Sequence, residues 1–270
     1  MKLCISNTEN AQKWIEVFKV IKNLNSYTTI CSRSDDLLIQ IMDDSHVCLL
    51  NIDIKKKWFD SYESLDETFS FMSSIMVKLL QLYVPNTLIT FETIHERLVI
   101  TFEYEDHSEK IFELNLIDID KDLLEPQQIE GSLEFEISTK TFDKYISELL
   151  LFGDSSELFC YKDNLYLKSS GDEGKITLKL PHDILNELQV EEDLRLKTNV
   201  SLKYLSYLTK SNSVFKQLSV HIQQDVPIYL QVKEEYFKLS YYVAPKISDD
   251  EEEDECNPLE EFEHLENKVI

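Results

Sequence analysis

The 270-residue sequence predicts an α+β fold of two similar domains, each with two helices set on antiparallel sheets. Three observations carry this. Most of the chain reads as short strands rich in leucine, β-branched and aromatic residues. Four segments interrupt that pattern with helical periodicity, and their starts recur every 60 to 70 residues or so, about the spacing of a repeated unit. Between the second and third helices, residues 118–130 are rich in Asp, Leu, Pro and Gln, the composition of a connector. The expected division is an N-terminal domain 1–117, a connecting loop 118–130, a C-terminal domain 131–247 and an acidic, disordered tail 248–270.

Strands are expected at 37–42, 47–54, 88–91, 98–102, 111–116, 133–137, 158–161, 165–168, 175–180, 218–222, 228–232 and 237–243. Several alternate apolar and polar residues, and turn-formers such as Asp163-Asn164 and Gly171-Asp172-Glu173-Gly174 punctuate them. The first helix, 11–24, gathers Trp14, Val17, Phe18, Ile21 and Leu24 on one face. Gln12, Glu16, Lys19 and Lys22 lie opposite, and Lys13 flanks. The second, 73–83, is apolar except for a stripe of Ser74, Lys78 and Gln81. The third, 141–151, sets Asp143, Lys144, Ser147 and Glu148 against Phe142, Ile146 and Leu149. The fourth, 201–210, aligns Lys203, Ser206 and Lys210.

The formal net charge of −24 argues against a polyanionic partner, but its distribution matters more. The tail holds eleven acids against the single base Lys268. The four helices run the other way, with seven lysines (Lys13, Lys19, Lys22, Lys78, Lys144, Lys203, Lys210) and three acids (Glu16, Asp143, Glu148). Lysine on a solvated helix face is ordinary. Exclusion of acids from the second and fourth helices is less so, and repeated basic faces suit a phosphate backbone contacted without reading bases. An acidic exterior would discourage adhesion elsewhere.

Chemistry-bearing motifs fail on inspection. Four glycines leave little for a phosphate-cradling loop, and the first ten residues lack the apolar core of a signal peptide. The five cysteines are scattered, as in a reducing compartment. Asp43-Asp44-Ser45-His46 holds ingredients of a nucleophile site, but neighbours on a strand point to opposite faces, so a turn is expected. Asp118, Asp120 and Asp122 begin like a calcium loop, yet Leu123 and Ile129 stand where glycine and glutamate are needed. The six histidines form no close pair suited to zinc. No catalytic residue, cofactor or metal is expected.

Three stretches carry a family likeness: Gln40-Ile41-Met42-Asp43-Asp44-Ser45-His46-Val47 with Phe59-Asp60-Ser61-Tyr62 after it; Leu202-Lys203-Tyr204-Leu205 through Thr209-Lys210 with Asp225-Val226-Pro227; and Tyr241-Tyr242-Val243-Ala244-Pro245-Lys246-Ile247 followed by acids. From about residue 10 to 247 the chain resembles the proliferating cell nuclear antigen family of eukaryotic and viral DNA sliding clamps. The resemblance implies the DNA-clamp fold and a homotrimeric ring, helices lining the channel and sheets outside. It implies a DNA polymerase processivity factor, not an enzyme, that encircles duplex DNA without sequence preference. Its partners would be DNA polymerase, a clamp loader and other replication and repair proteins bearing a clamp-binding peptide. Its place would be the nucleus, or a viral replication compartment.

Residue by residue, the family's DNA-facing lysines fall on Lys22, Lys78, Lys203 and Lys210, and a basic position of its third helix on Lys144. The helical wheel adds Lys13 and Lys19. Ser147, Leu151 and Gln81 depart from basic or histidine positions. The partner-peptide pocket falls on Met42, His46, Val47, Leu49, Leu123, Leu124, Pro227, Tyr242, Ala244, Pro245 and Ile247, with Leu123 and Leu124 competing for one place. Subunits would join edge to edge, Lys110, Ile111, Phe112 and Leu114 against Lys175, Ile176 and Leu178 of a neighbour. Lys162 matches the family's modified lysine. Two other readings stay open: a clamp-like subunit of a hetero-oligomer that does not itself encircle DNA, and a metal-dependent nuclease using Asp118, Asp120 and Asp122.

Overall fold

A computed structural model describes residues 1–119, 123–126, 129–161 and 163–246. Its helices are α1 (Thr8–Leu24), α2 (Ser73–Leu80), α3 (Thr139–Leu149) and α4 (Leu202–Thr209). Helix α1 starts ahead of its apolar stripe because the Asn7 side chain caps it, accepting the N–H of Asn10 at 3.0 Å.

All strand pairs among the described residues are antiparallel, and the two domains repeat one plan. The N-terminal domain has a five-stranded sheet ordered Ser61–Glu63, Lys2–Ile5, Leu88–Ile94, Arg97–Glu103, Glu109–Asn115, and a four-stranded set ordered Cys48–Lys55, Asp36–Met42, Tyr27–Ser32, Glu67–Met72. The C-terminal domain repeats both. Its five run Leu185–Val190, Leu133–Ser138, Gln217–Ile222, Ile228–Lys233, Phe237–Val243. Its four run Gly174–Leu180, Asn164–Gly171, Ser155–Tyr161, Arg195–Ser201. Pairing of Cys48–Lys55 with Phe237–Val243, from Cys48↔Val243 to Ile54↔Phe237, fuses one set from each domain into a nine-stranded sheet.

The helices pack as one layer, α1 against α2, α3 against α4, and α1 against α4 across the domain junction. Trp14 and Phe18 of α1 are fully buried, and Trp14 meets Phe91 edge-on at 5.5 Å between ring centres. Truncating such a side chain to alanine costs about 3–5 kcal/mol. Along Asp36–Met42, Ile39 and Ile41 point into this core, while Gln40 and Met42 reach the opposite, outer face. One sheet thus separates the helix layer from an outer surface.

Six strands were not anticipated: Lys2–Ile5, Tyr27–Ser32, Ser61–Glu63, Glu67–Met72, Leu185–Val190 and Arg195–Ser201. In two of them hydroxyl pairs are buried where apolar contacts are usual, Thr28 with Ser73 and Thr29 with Ser70, each at 2.9 Å.

Candidate functional site: a basic helix layer and an outer apolar cavity

On the helix layer, Lys19, Lys22, Lys78, Lys144, Lys203 and Lys210 are all exposed. The acids among them are engaged within the protein. Glu16 accepts from Lys19 at 2.5 Å and from the Ser211 hydroxyl at 3.4 Å. Asp143 accepts from Thr209 at 2.9 Å and Asn212 at 3.0 Å, binding α3 to the end of α4. Glu148 lies 3.7 Å from Lys144. Six exposed lysines against these three acids leave this face net cationic, although Lys19 and Lys144 are each paired with an acid.

Lys13 departs from expectation. It is 5 % exposed, and its ammonium pairs with Glu234 at 2.7 Å and Glu9 at 3.0 Å. Burial alone would lower its pKa, but the two carboxylates outweigh that and raise it above the usual lysine value. Its charge is spent on holding α1 to the 233–236 turn, so it does not join the exposed cations of the helix layer. The helical wheel could not show this, because Glu234 belongs to the other domain. Lys140, which sequence reasoning missed, joins the exposed cations: α3 begins at Thr139, so Lys140 lies one turn before Lys144.

On the outer face, a cavity of about 430 Å³ is lined by Met42, His46, Val47, Leu49, Leu124, Glu125, Pro126, Ile129, Gln223, Val226, Pro227, Tyr242 and Ala244. Three devices shape it. The first is the turn 43–47. Asp43 is buried and accepts the backbone N–H groups of Ser45 (3.1 Å), Val47 (2.8 Å) and Cys48 (2.6 Å), while His46 takes a φ of 59°. These bonds consume the carboxylate, so the tempting Asp-Asp-Ser-His motif is a structural turn. The second is the connecting segment, pinned where the Gln40 amide both donates to the Leu124 carbonyl (2.8 Å) and accepts from its N–H (2.7 Å). The third is the end of the last strand, where Ala244 N–H donates to the Val47 carbonyl at 2.8 Å. The result is an apolar slot with polar rims, the form that receives a short amphipathic helix.

The family models for the N-terminal and C-terminal domains of proliferating cell nuclear antigen match residues 7–124 and 128–246. The chain belongs to the proliferating cell nuclear antigen family. A relative in Paramecium bursaria Chlorella virus 1, described as a probable DNA polymerase sliding clamp 2, is 27 % identical over 247 residues, 89 % of each chain. A crystal structure of a PCNA2–PCNA3 complex from Sulfolobus tokodaii shares the fold, with a TM-score of 0.81 at 20 % identity, covering 91 % of this chain and 99 % of that one. As a member of the proliferating cell nuclear antigen family, the chain is a sliding clamp and polymerase processivity factor. The family binds DNA and polymerase and acts as a scaffold, not an enzyme.

Among the residues that the family resemblance placed in the pocket, Met42, His46, Val47, Leu49, Leu124, Pro227, Tyr242 and Ala244 line the cavity. Of the two competing leucines, Leu124 lines the cavity and Leu123 does not. Pro245 instead borders a neighbouring depression with Glu157, Lys197, Asn199 and Lys246. Ile247, Lys162, Asp120, Asp122 and the tail 248–270 lie outside the described residues. The walls added by Glu125, Pro126, Ile129, Gln223 and Val226 come from loops, where no periodicity announces which way a side chain points.

Proposed function

We propose that this clamp closes with further copies of itself into a ring around duplex DNA and recruits polymerase, loader and repair proteins through the outer cavity, in a nucleus or a viral replication compartment. One observation carries the reading. The strands that fuse the two domains, Cys48–Lys55 and Phe237–Val243, have counterparts in the repeat: Gly174–Leu180 and Glu109–Asn115. Both counterparts are edge strands among the described residues, and exposed edges demand partners. Joining them between copies repeats the internal junction. Three copies give a ring of six domains, with the helix layer inside.

The helices support the same closure. As α1 meets α4 at the internal junction, α3 would meet α2 of the next copy. Leu151, 74 % exposed beyond α3, and Leu82 and Val84, exposed beyond α2, would be covered there. On the inner face, lysines would contact phosphates weakly and without sequence preference, which permits sliding.

Light-scattering mass at micromolar concentration, with and without a clamp-binding peptide, tests the proposal. Three times the 31.8 kDa subunit mass together with peptide binding supports it. A stable monomer overturns self-closure and favours a subunit of a hetero-oligomer.

A further inference from the structure

We infer that the two edge strands carry a charge code that fixes their register and selects a second copy of this same chain as the partner. The inference rests on the ring reading and deepens it.

The internal junction supplies the register. After Cys48–Lys55 the chain enters a one-turn helix at Lys56–Trp58, flanked by Lys55; after Gly174–Leu180 it enters one at His182–Ile184, flanked by Pro181. Ile54 therefore corresponds to Leu180. On the other strand, the turn closed by Glu234 N–H on the Phe237 carbonyl (2.8 Å) matches the turn closed by Tyr104 N–H on the Ser108 carbonyl (3.0 Å). Phe237 therefore corresponds to Ser108. Because Phe237 faces Ile54 and Lys238 faces Asp53 inside the chain, Ser108 faces Leu180 between copies, and each later pair follows by antiparallel count.

Counting along the strands sets Glu109 opposite Lys179, Lys110 opposite Leu178, Ile111 opposite Thr177, Phe112 opposite Ile176 and Glu113 opposite Lys175. Residues directly opposite in an antiparallel pair share a face. Phe112 and Ile176 are both half-buried and turned toward their domain cores. Phe112 already packs edge-on against Phe102 at 5.6 Å. Glu109, Ile111 and Glu113 fall with Lys175, Thr177 and Lys179 on the other face. Both acids then meet lysines. A slip of one residue would set Phe112 against an outward side chain, and a slip of two in either direction would leave both acids without a lysine.

Each charge is exposed in the single chain: Glu109, Glu113, Lys175 and Lys179 all face solvent. Glu113 also pairs with Arg97, which would make a three-charge cluster with Lys175 of the next copy. The acidic edge and the basic edge belong to one sequence. Self-complementarity thus points to identical subunits.

The test is charge reversal read by sedimentation at low ionic strength. E109K/E113K should face its own basic edge with like charge, and K175E/K179E its own acidic edge. Each should raise the concentration for half-dissociation by about tenfold or more, an effect that salt screens. The quadruple variant E109K/E113K/K175E/K179E should return to wild-type assembly. All four side chains are exposed, so thermal unfolding of the doubles should match the wild type and separates dissociation from misfolding. If the wild type assembles but the doubles assemble equally well, or the quadruple fails to recover, the charge code is overturned and the ring stands. If the wild type itself never exceeds a monomer, the ring reading falls and the code with it.

Discussion

The Tyr204 hydroxyl donates a 2.6 Å hydrogen bond to Oδ2 of Asp43, linking helix α4 of the C-terminal domain to the turn that walls the outer cavity of the N-terminal domain. Tyr241 extends the link by donating to the Tyr204 carbonyl at 2.9 Å. Burial, and then the neighbouring Asp43 carboxylate, push the Tyr204 phenol up to about 12, so it remains a donor at any ordinary pH. Tyr204→Phe should destabilise the chain by about 1–2 kcal/mol, because a buried carboxylate loses one of four donors. Asp43→Ala should cost more, since it orphans the backbone N–H groups of Val47 and Cys48 as well. Urea unfolding of the two variants checks the order.

The same carboxylate predicts a pH dependence. Burial pushes the Asp43 pKa up, but the Tyr204 hydroxyl and the N–H groups of Cys48, Ser45 and Val47 outweigh it and hold the group below its ordinary value. A depressed folded-state pKa contributes stability that is complete above the unfolded pKa of about 4 and is lost as pH falls through the folded value. The stability gap between wild type and Asp43→Asn should therefore be constant from neutral pH down to about 5 and shrink below about 4. Denaturant unfolding at several pH values measures it. A gap that widens in acid would contradict the assignment.

Gln40 and Leu124 exchange two hydrogen bonds, which hold the connecting segment over the cavity. Gln40→Ala frees that segment while leaving the sheet core intact. Binding of a clamp-binding peptide should weaken by about three- to tenfold, the worth of roughly 1 kcal/mol of lost preorganisation. Assembly mass should not change, since Gln40 lies in the nine-stranded sheet and both edge strands belong to other sheets. Calorimetry of peptide binding, paired with a light-scattering mass, separates the two effects.

The helices were legible because their apolar faces are long and regular, as in Trp14, Val17, Phe18 and Ile21. Their ends were not. Thr8, Glu9 and Asn10 make a polar first turn that carries no period, and Thr139 with Lys140 hides the start of α3 in the same way. Strand Arg195–Ser201 shows why others escaped notice. Leu196, Thr198 and Val200 point inward, but a buried threonine in the middle breaks the apolar alternation that a reader looks for. The cavity was legible only through family likeness. Its walls come from a turn, a connector and a strand end far apart in sequence, and no local pattern brings Met42, Leu124 and Tyr242 together.

Lysines that look alike in sequence should separate sharply in experiment. Lys203 and Lys210 are exposed on α4, with Lys203 resting beside the rings of Tyr204 and Tyr207 at 5.3 and 5.9 Å. If each meets one phosphate, replacing both with alanine removes two contacts from every subunit. The slope of log affinity against log salt should then fall by about 2 for each subunit that engages DNA, equally for unrelated sequences. Lys13→Ala should leave that slope unchanged, because its ammonium is turned toward Glu9 and Glu234 and never reaches the helix surface. Its cost should appear in unfolding instead, at about 1–2 kcal/mol, from lost packing of the buried stem and an ion pair whose carboxylates are partly solvated. Because its folded-state pKa is raised, that contribution should hold below the unfolded value of about 10.4 and fade only at higher pH. A salt slope reduced by Lys13→Ala as much as by Lys210→Ala would mean that α1 rotates on DNA to expose it, and would restore Lys13 to the DNA-facing set.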